Sequence, residues 1–148
     1  MNRNRRGFLK LAGAAAALSM LPLKVLADFV RPKEAMAATD LKGVFASLGN
    51  AQDSDQIRLE TPDIAENGAV VPVTVSSAIP GTSKIYLLVE DNPNPLAAAY
   101  MIPEGTEAFV QTRVKVAQTC PIYAVVEAGG KLYKTSRETK VTLGGCGG

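Results

Sequence analysis

Valine alternation constrains this chain more than any other feature. Val71, Val73 and Val75 are separated by Pro72 and Thr74. Val110, Thr112, Val114 and Val116 alternate with Gln111, Arg113 and Lys115. Strand side chains point to opposite faces in turn, so a period of two buries one set and exposes the other. Ile57 and Leu59 repeat the pattern on a shorter scale. Lys84 to Glu90 differs, because Ile85, Tyr86, Leu87 and Leu88 are apolar on both faces. That run predicts a strand in the middle of a sheet. Asp91-Asn92-Pro93-Asn94-Pro95 breaks it, and Leu96 to Ile102 reads as the next strand. Ile122 to Ala128 and Lys131 to Ser136 flank Gly129-Gly130, a two-residue hairpin turn. Thr139 to Leu143 is a last strand or a continuation of the previous one. Pro72 marks an edge or a bulge.

One helix is expected before these strands. Thr39 serves as its N-cap, Leu41, Val44, Phe45 and Leu48 follow at three- and four-residue spacing, and Gly49-Asn50 ends it. About seven short strands predict an all-β fold, an antiparallel immunoglobulin-like β-sandwich with a short N-terminal helix. A small barrel is the alternative. The immunoglobulin Cys-Trp-Cys signature is absent, since the chain has no tryptophan.

The chemistry is bounded by what is missing. The 148 residues include no histidine, which removes Ser-His and Cys-His dyads, His-ligated metals and the commonest general base. The two cysteines, Cys120 and Cys146, form no C-x-x-C motif, so a four-ligand Cys/His zinc site and covalent haem attachment are excluded within one chain. No catalytic residue, cofactor site or metal site is expected. Sixteen Lys+Arg against 14 Asp+Glu argue against a nucleic-acid binder.

The first 27 residues read as an address. Arg5-Arg6-Gly7-Phe8-Leu9-Lys10 precedes an apolar run from Leu11 to Leu23, and Val25-Leu26-Ala27 suits signal peptidase. The paired arginines match the twin-arginine export signal, which implies a periplasmic protein exported folded. The apolar run is too short to span a bilayer comfortably, and Pro22 interrupts it. No membrane attachment is therefore expected after cleavage. Ala35-Met36-Ala37 offers a second cleavage site, but its use would leave Arg31, Lys33 and Glu34 inside the signal. Removing residues 1–27 takes away five cations (Arg3, Arg5, Arg6, Lys10 and Lys24) and no acid. The remaining 121 residues hold 11 Lys+Arg against 14 Asp+Glu, a net charge of −3. The expected organisation is a signal peptide over 1–27, a segment with the helix over 28–50, the sandwich over 51–143 and an arm over 144–148.

That arm reads Gly144-Gly145-Cys146-Gly147-Gly148. Glycines lack Cβ, which gives the segment conformational freedom and little width. Five residues extend at most about 17 Å, enough to present a thiol inside a narrow tunnel of another protein. No cation, histidine or helix N-terminus within the segment lowers the thiol pKa. A mobile thiol without an activator fits a carrier whose partners supply the activation. The competing reading is a structural Cys120–Cys146 disulfide in an exported β-sandwich interaction module, stabilising by about 3 kcal/mol in the chain-entropy model. Cys120, in Gln118-Thr119-Cys120-Pro121 at a strand boundary, is read as a partly buried thiol, with intrachain or interchain pairing open. The acids between Pro62 and Pro72 read as a solvated loop. Arg113 and Lys115 read as an exposed strand face that could meet an acidic partner or a sulfur oxyanion.

Three features carry a family resemblance: the Arg-Arg-x-Phe-Leu-Lys signal, Ile64-Ala65-Glu66-Asn67-Gly68 before a Val-Pro-Val strand, and Gly-Gly-Cys-Gly-Gly at 144–148. Together they resemble the SoxY family, the sulfur-carrier subunits of the bacterial thiosulfate-oxidising Sox system. The resemblance implies a periplasmic immunoglobulin-like sandwich that forms a heterodimer with a SoxZ-like β-protein. It implies that Cys146 is the covalent attachment point for thiosulfate-derived sulfur, and that the chain is not itself an enzyme. The implied partners are the c-type cytochrome SoxXA, SoxB and, where present, SoxCD. Cys120 lies outside the family's carrier motif.

Overall fold

A computed structural model describes residues 32–142 of the chain. The proposed signal peptide (1–27) and the arm (144–148) lie outside the described residues. Two helices, α1 (Lys33–Ala37) and α2 (Leu41–Leu48), precede nine strands. The strands are β1 (Ala51–Asp53), β2 (Ile57–Glu60), β3 (Ile64–Ala65), β4 (Val71–Ser77), β5 (Thr82–Val89), β6 (Leu96–Met101), β7 (Phe109–Val114), β8 (Cys120–Ala128) and β9 (Lys131–Val141). A 3₁₀ turn, Gly68–Val70, sits between β3 and β4.

The strands form two sheets. The larger has the order β1-β9-β8-β5-β6 with β3 also on β9, and the smaller is β2-β4-β7. The expected sandwich is present. Val71, Val73 and Val75 of β4, with Val110 and Val114 of β7, face Ile85, Leu87, Ile122, Ala124 and Val126 of the larger sheet. Burial of such side chains supplies most of the driving force for the fold, at about 1.5–3 kcal/mol each. The outer face of the larger sheet is also covered. Ala35 of α1 and Val44 of α2 pack on Tyr86, Leu88, Leu96, Val125 and Leu132. This second layer is why β5 is apolar on both faces, with Ile85 to Val89 all buried.

Several expectations need adjustment. Among the described residues two helices are present rather than one. The cap of α2 is Asp40, not Thr39: its carboxylate accepts from the Gly43 amide at 2.6 Å, the geometry that satisfies an orphan N–H of the first turn. Strand β7 ends at Val114 although the alternation continues to Val116, because the Val116 amide leaves the ladder to reach the Gly68 carbonyl at 2.7 Å. Most pairings are antiparallel, but β1 and β3 each lie parallel to β9. Gly129 and Gly130, at φ 57° and 74°, turn β8 into β9 with Ala128 opposite Lys131. Residues 139–141 continue that strand. Pro72 pairs with Arg113 of β7, while β2 covers only Thr74 to Ser77 of β4. Pro72 therefore sits where β4 has one neighbour, and its missing N–H costs no ladder bond.

Candidate functional site: the root of the thiol arm

Cys146 and its glycines Gly144, Gly145, Gly147 and Gly148 lie outside the described residues. The structure does describe the strand that leads to them. β9 runs eleven residues, and three contacts hold its far end. The Lys140 amide donates to the Asp63 carbonyl at 2.9 Å. The Val141 amide donates to the Thr119 hydroxyl at 2.9 Å. The Thr142 amide donates to the Ala65 carbonyl at 3.2 Å. Deeper in, the Thr61 and Thr139 hydroxyls hydrogen-bond at 2.9 Å and satisfy each other in an otherwise apolar setting. Arg137 adds an exposed ion pair to Asp63 at 2.7 Å. The chain is thus fixed as far as Thr142, and Cys146 follows four residues later. Four extended residues reach about 14 Å, which bounds how far the thiol stands from a fixed root.

Sequence reasoning names the thiol and its glycines but not Thr119, Asp63 or Ala65, the residues that hold the root. Two signals point toward them. Thr119 adjoins the strand-boundary cysteine, and Ala65 lies in the Ile-Ala-Glu-Asn-Gly segment that carries the resemblance. The stretch 62–72 is not wholly a loop, since Ile64 and Ala65 form β3, though Glu66 is exposed as expected.

The other thiol has a different setting. Cys120 is free, 2% exposed, and packed in the core between the sheets. Burial pushes its pKa above the ordinary thiol value, and the charges of Asp91 and Glu90 push the same way. A thiol held neutral is a poor nucleophile. Elsewhere, a surface hollow of about 570 Å³ is bordered by Asp40, Glu90 and Asp91, with no nucleophile–base pair. Among the described residues no group of three or more Cys, Asp or Glu is placed to hold a metal ion. Arg113 and Lys115 are both exposed, as expected.

A family model described as "Sulfur oxidation protein SoxY" matches residues 41–146, from the first residue of α2 through Cys146. The chain belongs to the SoxY family. Among solved structures, it is similar to the sulfur carrier protein SoxY from Chlorobium limicola f thiosulfatophilum. The identity is 39% over 69% of this chain and 94% of that one, with a TM-score of 0.61. It is also similar to a superoxide reductase (neelaredoxin) from Ignicoccus hospitalis, at 19% identity over 66% of this chain and 98% of that one, with a TM-score of 0.52. That second likeness shows a shared fold alone. No curated protein gives a significant match. SoxY proteins are sulfur carriers of the sulfur-oxidising Sox system, so the general role of this chain is to carry sulfur for partner proteins of that system.

Proposed function

We propose that the chain carries thiosulfate-derived sulfur covalently on Cys146 and presents it to a series of enzymes in the periplasm. The observation that carries this reading is the family match that runs through Cys146. Three further features support it. Glycines flank the thiol on both sides, and residues without Cβ allow wide conformational freedom and little width. The root at Thr142 is firmly held. The only other cysteine is enclosed in the core.

In the proposed cycle, a SoxXA-type c-type cytochrome accepts two electrons as the Cys146 thiolate and thiosulfate join, giving Cys146–S–S–SO₃⁻. A SoxB-type hydrolase adds water across the terminal S–S bond, releasing sulfate and two protons and leaving Cys146–S–S⁻. SoxCD, where present, oxidises the remaining sulfane sulfur. A SoxZ-like β-protein completes a heterodimer. This chain supplies reach and a sulfur atom, and no acid, base or cofactor. A Cys120–Cys146 staple fits less well, because the arm would have to enter the apolar core to meet the Cys120 sulfur.

Mass spectrometry of the intact protein after incubation with thiosulfate and its cytochrome partner tests the reading. A mass gain of one S–SO₃⁻ group on the Cys146 peptide is expected. A loss of two protons with no adduct would mean that the cysteines are stapled instead. Export is tested separately: changing Arg5 and Arg6 to Lys should strand the precursor in the cytoplasm, and normal periplasmic yield would refute the twin-arginine route. Cleavage after Ala27 suits the fold better than cleavage after Ala37, because α1 contributes the fully buried Ala35 to the outer layer.

A further inference from the structure

The two ends of β9 are not held alike. From Lys131 to Thr139 every residue stands opposite a residue of β8, which begins at Cys120. Residues 140–142 run on past that start. They lean on β3, which is two residues long, and on the Thr119 hydroxyl. Ile64 of β3, opposite Lys140, is itself 59% exposed. Lys140 and Thr142 are exposed, and of the three only Val141 packs a half-buried apolar side chain against the core. A strand end with few bonds and little buried surface opens at a far smaller free-energy cost than the sheet it belongs to.

The residue just behind this end is held differently. Thr139 is fully buried, and its hydroxyl meets that of Thr61 at 2.9 Å. Drawing it out would leave the buried Thr61 hydroxyl without its partner, which carries a desolvation penalty. Opening from the end therefore stops between Lys140 and Thr139. The strap that receives the end also keeps its place without it. Asp63 is tied by the ion pair at 2.7 Å to Arg137, a residue behind the stop, and Ala65 is buried in the core. After release, the Asp63 and Ala65 carbonyls and the Thr119 hydroxyl stand where the strand can return to them.

We infer that the arm has two lengths, a resting one rooted at Thr142 and a longer one rooted at Thr139, and that release of residues 140–142 converts the first into the second when a partner draws the thiol inward. The inference rests on the reading that Cys146 carries sulfur into partner enzymes. From Thr142, four extended residues reach about 14 Å. From Thr139, seven reach about 24 Å. The three released residues thus add about 10 Å of reach without lengthening the resting arm. A carrier that serves several enzymes meets reaction centres at several depths. A shallow site is served by the resting form, and only a deeper one draws the added length. Thr119 is a positioning residue in this scheme. It touches no reacting atom and sets how often the end of β9 is released.

The test needs neither partner nor thiosulfate, so its failure is distinct from a failure of sulfur carriage. The processed protein with Cys120→Ala is oxidised by glutathione disulfide at low chain concentration. Intrachain bridges to Cys146 are then mapped by peptide mass. Two exposed positions serve as targets, one per variant. Glu138→Cys lies four residues from Thr142, about 13 Å along the strand, within reach of the resting arm. Asp53→Cys stands opposite Lys134, eight residues from Thr142 and about 26 Å away. The resting arm plus the span of a disulfide, about 6 Å between Cα atoms, falls short of it. From Thr139 the same target is five residues away, about 17 Å, and the longer arm reaches it. Both variants should bridge, Asp53→Cys at least tenfold more slowly. Adding Thr119→Val should speed the Asp53→Cys bridge severalfold and leave the Glu138→Cys bridge unchanged. Adding Val73→Ala, which weakens the core as a whole, should not speed either. A bridge at Glu138→Cys with none at Asp53→Cys overturns the longer arm. An Asp53→Cys bridge that quickens with Val73→Ala also overturns it, because the opening is then global unfolding. Equal rates at the two targets overturn the resting form, and no bridge at either overturns reach from this root altogether.

Discussion

Cys120 is buried in the core between the two sheets, in the same cluster as Ile122, Val116 and Val89. A hydroxyl costs more than a thiol to take out of water, even beside the Asp91 and Glu90 backbone groups that approach this position, and an under-satisfied buried hydroxyl costs about 1–3 kcal/mol. Cys120→Ser should lower the thermal midpoint clearly, whereas Cys120→Ala should lower it less and still accept the sulfur adduct. Equal loss of adduct in Cys120→Ala and Cys146→Ser would show that both thiols take part. Tyr86 gives a second residue-scale expectation. Burial, reinforced by Glu127, raises its pKa from 10.0 to about 12, and its hydroxyl donates to the Glu127 carboxylate at 3.3 Å. The folded state thus holds a proton that the unfolded chain releases sooner. The stabilisation from that proton is complete below pH 10 and is lost as pH rises toward 12. A thermal midpoint measured from pH 9 to 12 should fall more steeply for the parent than for Tyr86→Phe. Tyr123 and Cys120, also shifted upward by burial, keep part of the slope in the variant. Parallel curves would mean that Tyr86 titrates normally.

The elements that sequence reading recovers are those whose neighbours along the chain determine them. β4 and β7 alternate cleanly, β5 is apolar on both faces, and Gly129-Gly130 occupies two left-handed positions that glycine adopts without strain. The elements it misses are defined by contacts distant in sequence. β1 and β3 are three and two residues long and exist only because β9 passes beside them. α1 is a single turn without a side-chain cap, held by packing of Ala35. Asp40 and Thr39 are both capping residues, and only the reach of one carboxylate to Gly43 separates them. The arm root belongs to the same class, because Thr119 and Val141 are 22 residues apart. Thr119→Val keeps the shape and removes the acceptor, at a cost of about 1 kcal/mol. Hydrogen exchange at the Val141 and Thr142 amides should quicken while the Tyr86 and Val125 amides in the sheet centre stay protected. Unchanged exchange at Val141 would show that the ladder alone holds the end of β9.

For the molecule as a whole, one large sheet is covered on its inner face by a small sheet and on its outer face by helices. Among the described residues, nearly all of the buried apolar side chains belong to those two layers. If the body exists to hold an arm, fold and function should separate on mutation. Cys146→Ser should leave the thermal midpoint within about 0.5 kcal/mol of the parent, the usual range for a substitution away from the core. It should abolish thiosulfate-dependent turnover in a reconstituted system. Gly145→Val with Gly147→Val should slow turnover with the thiol intact, because β-branched residues stiffen and widen the segment. The staple reading gives the reverse pattern. Losing a disulfide costs about 2–5 kcal/mol, so Cys146→Ser would then depress the midpoint strongly, and the valine changes would matter little. The two measurements, midpoint and turnover, move in opposite directions under the two readings. A variant set that loses stability and keeps turnover would overturn covalent carriage at Cys146. Loss of turnover with stability retained would assign the chemistry to the arm and the architecture to the sheets that hold its root at Thr142.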